Sequence, residues 1–140
     1  MSDFNQRVID EFRANGWVET GGFGSDIVLL HTTGAKTGEP RMSPVMAIRR
    51  GESWIVVASK AGAPENPAWY ANLRAHPDAV IEAADDQGQV SEVAVTAVDL
   101  HGDEYAEAWA AVVARAPGFE GYRERTDGIH TIPVLRLDRR

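Results

Sequence analysis

The sequence predicts an α+β protein in which about six strands form one antiparallel sheet, curled into a barrel and covered by three to four helices. Two observations predict it. Short runs that are continuously apolar or alternate with period two recur between turn signals, as at 26–33, 41–50 and 54–59. Helical periodicity is confined to a few segments at the start, the middle and the late part of the chain. With 140 residues, 44% of them hydrophobic, the chain is long enough to bury a substantial core as one domain, 1–140.

Residues 3–15 read as a helix, because Phe4, Val8 and Phe12 recur on one face and Asn15-Gly16 supplies a stop. Helix and lead-in together occupy 1–25. DIVLLHTT, 26–33, is a continuous apolar run and reads as a buried strand. RMSPVMAIRR, 41–50, alternates with Met42, Met46 and Ile48 on one face, and Pro44 confines this strand to an edge or a bulge. WIVVAS is a third strand after the turn RGES. ENPAWYANLRAHP is a short helix, with Asn66 as its cap, Pro67 at its first position and Pro77 just past its end. AVIEAA and QVSEVAVTAVD form a hairpin around DDQG. Asp103 to Ala116 is an amphipathic helix with Tyr105, Trp109, Val112 and Val113 inward, ended by Pro117, and TIPVLRL closes as the last strand.

Composition excludes several chemistries. There is no cysteine, hence no disulfide, thiolate metal site or cysteine nucleophile. A net charge of −7 argues against general nucleic-acid binding, so an anionic ligand needs a local basic patch. No apolar stretch is long enough to span a bilayer, and the charged N-terminus MSDFNQRVIDEF lacks the apolar core of a signal peptide. A cytoplasmic protein is expected. The four histidines are scattered without metal-ligand spacing, and Ser43 and Ser59 lack a nucleophile-elbow context, so no metal site and no serine hydrolase is expected. If the protein is an enzyme, a cofactor carries its chemistry.

One loop stands out. HTTGAKTGEPR, 31–41, holds one of only two lysines in the chain and two glycines separated by three residues. It is not a Walker loop, which needs four residues between its glycines and a helix after them. Two readings remain. The glycines permit a hairpin connection, or they expose backbone N–H groups as an anion nest to which Lys36, Thr37 and Arg41 add charge and a hydroxyl. The second lysine, Lys60, lies in another loop beyond a strand end, and a barrel could bring the two loops together.

LLHTTGAKTGEPRMSP, IVVASKAGAPENPAWYANLRAHPDAVIE and ERTDGIHTIPVLRL together resemble the deazaflavin-dependent nitroreductase family. The resemblance covers nearly the whole chain beyond the first helix. It implies a split β-barrel related to the barrels that bind flavin mononucleotide, here a deazaflavin-binding domain for coenzyme F420. The implied reaction is hydride transfer from the reduced coenzyme to a small electrophilic acceptor: a quinone, an enone or a nitroaromatic. Carried over by residue, it places the phosphate and oligoglutamyl tail on Lys36, Thr37, Gly38, Pro40 and Arg41, with Met42 and Pro44 on the ring side. Val57, Ala58, Ser59 and Lys60 would edge the ring, and Trp69 would pack beside it. Ser59 and Tyr122 are the implied catalytic polar groups, and Met46, Phe119 and Tyr122 the substrate pocket. Ala35 stands where many relatives have a basic residue, and Ala116, Phe119 and Met46 stand where the family's name-giving member has tyrosines. Nitroimidazole reduction is therefore not expected, whereas an apolar acceptor is. The alternatives are a flavin mononucleotide enzyme on the same barrel and a non-catalytic coenzyme carrier; on any of these readings the chain is a monomer or a homodimer.

Overall fold

The computed structural model describes residues 3–20, 24–58, 67–116 and 132–140. Helix α1 (Asp3–Asn15) leads to a hairpin of β1 (Ile27–Thr33) and β2 (Pro40–Arg50), followed by β3 (Ser53–Val57). Helix α2 (Ala68–Ala75) precedes β4 (Asp78–Ala84) and β5 (Val90–Asp99), and α3 (Gly102–Arg115) precedes β6 (Val134–Arg139). The six strands close as β1-β2-β3-β6-β5-β4, every neighbour antiparallel.

Both faces of the barrel wall are covered, which accounts for the apolar run in β1. Val28 and Leu30 point into the barrel with Val56, Ile81 and Leu137. Ile27 and Leu29 point outward and pack under α1 against Val8, Ile9 and Phe12. On the other flank α3 lays Trp109 and Val112 over Ile48, Ile55 and Val134, with Tyr105 and Val113 at the margin. Period-two alternation cannot survive burial on both sides, so the run is continuous.

The same geometry settles which face of β2 is inside. Met42, Met46 and Ile48 do share a face, but it is the outer one, under α1 and α3; Val45 and Ala47 fill the barrel. Pro44 sits opposite Leu29. The Ala47 N–H donates to the Asp26 carbonyl at 3.1 Å, so by strand alternation the odd positions of β2 bond to β1. The nitrogen of Pro44 therefore faces the other side, where pairing with β3 has already ended at Ala47–Val56. The expected edge position holds locally, inside a strand that is central further on.

Element ends shift by a residue or two. α2 begins at Ala68 with Pro67 as its extended N-cap, not as its first helical residue, and Asn66 lies outside the described residues. α3 spans Gly102–Arg115 rather than 103–116, and the last strand begins after Pro133 and runs on to Arg139. The stop after α1 is as read: Gly16 has φ +78° and donates its N–H to Phe12 O at 2.7 Å. A side chain there would collide with the Gly88 carbonyl, 2.5 Å from a hypothetical Cβ.

Candidate functional site

Because neighbouring strands are antiparallel, β1, β3 and β5 end at the same mouth at which β2, β6 and β4 begin. Helix α2 lies across this mouth. Trp69 and Leu73 plug the barrel, and Asn72, at the i+3 position from Trp69, shares their buried face. Its amide bonds in two directions. Nδ2 donates to Thr32 Oγ1 at 3.1 Å, and Oδ1 accepts from the Ala35 N–H at 2.9 Å. The helix thus grips the loop between β1 and β2.

That loop is tightly folded. Gly34 N–H donates to Glu39 O (2.8 Å), and Gly38 N–H donates to Gly34 O (2.9 Å). Gly38 has φ +72°, and a Cβ on Gly34 would stand 2.7 Å from Thr37 Oγ1, so both glycines are required by the turn. Thr37 Oγ1 accepts the Glu39 N–H at 3.2 Å, which leaves its own proton to donate elsewhere. The backbone N–H groups of Lys36 and Thr37 have no hydrogen-bond acceptor among the described residues. The Lys36 ammonium has no carboxylate within 4.0 Å among them either. Two amides, a hydroxyl and an ammonium on successive residues are thus left as donors, the kinds of group that bind an anion.

Between this loop and α2 runs a groove of about 330 Å³, with Lys36, Thr37 and Arg41 on one wall and Ala68, Trp69 and Asn72 on the other. The structure therefore brings together Lys36, Thr37, Arg41 and Trp69, and Gly38 and Pro40 shape the loop behind them. Met42 reaches the groove edge, but its side chain packs under α1, where Arg13 Nη2 lies 3.6 Å from its sulfur. Pro44 and Met46 do not line the groove; Met46 packs beneath α3 with Ile48, Ile55, Val57 and Val112. At the mouth Val57 and Ala58 are buried. The Ala58 N–H is committed to Pro133 O at 2.9 Å, and the Val57 backbone faces the gap where β2 and β3 part. Ser59, Lys60, Phe119 and Tyr122 lie outside the described residues.

Two further polar arrangements stand out, one at the mouth and one on the barrel's outer wall. The half-buried Tyr70 hydroxyl donates to Asp99 Oδ2 at 2.6 Å, and burial together with this bond raises its pKa to about 12. It is a fixed proton holder, not an acid at neutral pH. On the outer wall, Glu82 accepts from Arg13 (3.0 and 2.8 Å) and lies 2.7 Å from His31 Nε2. The Arg13 bond, aided by His31 and opposed by burial, holds the Glu82 carboxyl below its ordinary pKa.

Asn72 and Thr32 were not legible as site residues. The available signal was a polar side chain on the apolar stripe of α2, between Trp69 and Leu73.

A closed six-stranded antiparallel barrel, with a groove at one mouth edged by donors unbonded among the described residues, is the class of fold and site this chain presents. The fold is shared with HutZ, described as a heme storage protein of Vibrio cholerae, at 17% identity and a TM-score of 0.59 over 94% of this chain and 87% of that one. A structure described as an F420-H2 dependent reductase (FDR-A) matches at 35% identity and a TM-score of 0.68, over 81% of this chain and 94% of that one. The F420H(2)-dependent quinone reductase Rv1261c of Mycobacterium tuberculosis is 40% identical over 114 residues, 81% of this chain and 73% of the relative. Residues 6–137 match the family model for F420H(2)-dependent quinone reductase, and the chain belongs to that family. It is an oxidoreductase, and its cofactor is coenzyme F420. No described helix is long and apolar enough to cross a membrane.

The mouth fits that cofactor in its charge and its shape. A phosphate and carboxylate tail needs donors and cations, which the loop supplies; a flat ring needs an apolar wall, which Trp69 supplies.

Proposed function

We propose that the protein reduces a quinone with reduced F420, gripping the coenzyme's phosphate and acidic tail in the groove between the β1–β2 loop and α2. The observation that carries this reading is the pair of unclaimed N–H groups at Lys36 and Thr37, beside an ammonium without a carboxylate partner among the described residues. When bound, the reduced coenzyme supplies a hydride from its ring carbon. The chain's own part is binding and orientation. The loop fixes the phosphate end, and Asn72 fixes the loop. Trp69 excludes water from the ring's edge. Ser59, directly after the buried Ala58, is assigned to the acceptor's oxygen, and Tyr122 to the proton that completes reduction to the hydroquinone. With Met46 and Phe119 replacing tyrosines, an apolar quinone is favoured over a nitroimidazole. The lack of cysteine supports a cytoplasmic setting.

Parallel fluorescence titrations with F420 and flavin mononucleotide test the reading. F420 is expected to bind more tightly, and equal or reversed affinities would overturn it. Lys36→Ala is expected to weaken F420 binding by about five-fold at low salt, and the loss should shrink as salt rises, because screening shortens to roughly 3 Å at 1 M. An unchanged dissociation constant at low salt would return the loop to a plain hairpin.

A further inference from the structure

Resting on the assignment of this groove to the coenzyme, we propose that Glu39 is a specificity-determining residue that competes with the coenzyme's acidic tail for Arg41. Three features place it there. The Glu39 backbone is pinned at both ends of its peptide: its N–H donates to Thr37 Oγ1, and its carbonyl accepts from Gly34. From this fixed origin the carboxylate reaches Arg41, with Oε2 at 3.3 Å from Nη1. The same Nη1 also donates to Pro40 O at 3.3 Å, so the guanidinium is folded back along its own loop.

Charge gives this arrangement its effect. Of the three charged residues on the loop, Lys36 and Arg41 are opposed by Glu39, so the cradle's net charge is +1 where its cations alone would give +2. The rest of the chain is strongly acidic and adds no attraction for an anion. Both partners of the pair are at least half exposed, 50% and 66%, so the pair can exchange readily for a ligand carboxylate. An incoming tail that uses Arg41 must displace Glu39 and then lie beside it, well within a Debye length. The penalty grows with every carboxylate the tail adds near the loop. Glu39, together with the uncharged Ala35, therefore tunes the loop toward the phosphate end and the first tail residue, and against long oligoglutamyl tails.

The test is a set of dissociation constants for the full chain with short-tailed and long-tailed coenzyme, at low and high salt, in wild type, Glu39→Gln, Arg41→Gln and the double variant. Glu39→Gln is expected to tighten binding by about two- to five-fold at low salt, more for the long tail. The gain should vanish in strong salt and in the Arg41→Gln background, because two residues acting through one pair are coupled. Binding that is unchanged or weaker in Glu39→Gln, or an equal gain without Arg41, would overturn the role of Glu39 while leaving the groove assignment intact. A wild-type protein that does not bind the coenzyme would overturn the groove assignment first, and this inference with it.

Discussion

Trp69→Ala is expected to lower stability by about 3–5 kcal/mol, the cost of removing a large aromatic from a packed core. The indole is 9% exposed and belongs to the same cluster as Leu30, Val56, Ile81 and Leu73. It is carried by α2 across the mouth of a closed barrel, so removing it leaves a cavity between that helix and the barrel interior. For a chain of this length the melting temperature should fall by roughly 10–15 °C. Trp69→Phe keeps an aromatic plug and should lose far less stability, so it isolates the part of Trp69 that faces the groove. Thermal unfolding monitored by circular dichroism measures both variants. A drop of only a degree or two in Trp69→Ala would show that the indole is not the plug of this mouth.

Glu82→Gln is expected to cost about 1–2 kcal/mol at neutral pH. Two hydrogen bonds from Arg13 and the contact with His31 lose their charged acceptor, but the guanidinium is half exposed, so the usual value for charged bonds is discounted. The effect depends on pH in a fixed direction. The folded-state pKa of Glu82 is lowered from 4.5, so its stabilisation is fully present above pH 4.5 and is lost as pH falls through the lower folded value. Wild type and variant should therefore differ most near neutrality and converge in acid. Urea unfolding at several pH values reads this, and a difference that stays constant from pH 7 to pH 3 would exclude Glu82 as the titrating group.

The two arrangements differ in how visible they were in the sequence. The β1–β2 loop could be found because its parts are contiguous: glycines, lysine, threonine and arginine lie within a few residues of one another. The strands were visible for the same reason, since β-branched runs and turn residues are local signals. What alternation could not say is which face of β2 points inward, because Val45 and Ala47 on one side and Met46 and Ile48 on the other are both apolar. The order of strands was also hidden. β6 enters between β3 and β5, a long-range choice made by closure. Asn72 meets Ala35 across 37 positions and Thr32 across 40, and Glu82 meets His31 across 51 and Arg13 across 69. No spacing rule reaches that far. Such residues become legible only when the barrel has brought distant segments to one mouth or one wall.

The ion cluster on the outer wall also bears on what happens when the barrel opens. The ladder between β1 and β4 runs only from Leu29–Glu82 to His31–Val80, the shortest in the sheet. Glu82 and His31 both belong to it, and Arg13 ties it to the N-terminal helix. Parting this seam would break the Arg13–Glu82 tie to α1 and expose two unpaired strand edges at once, beside the apolar cluster of Ile27 and Leu29. Bare edges of that kind template pairing with other chains. α1 thus keeps Ile27 and Leu29 covered and, through Arg13, couples its own docking to the pairing of β1 with β4, away from the coenzyme's mouth.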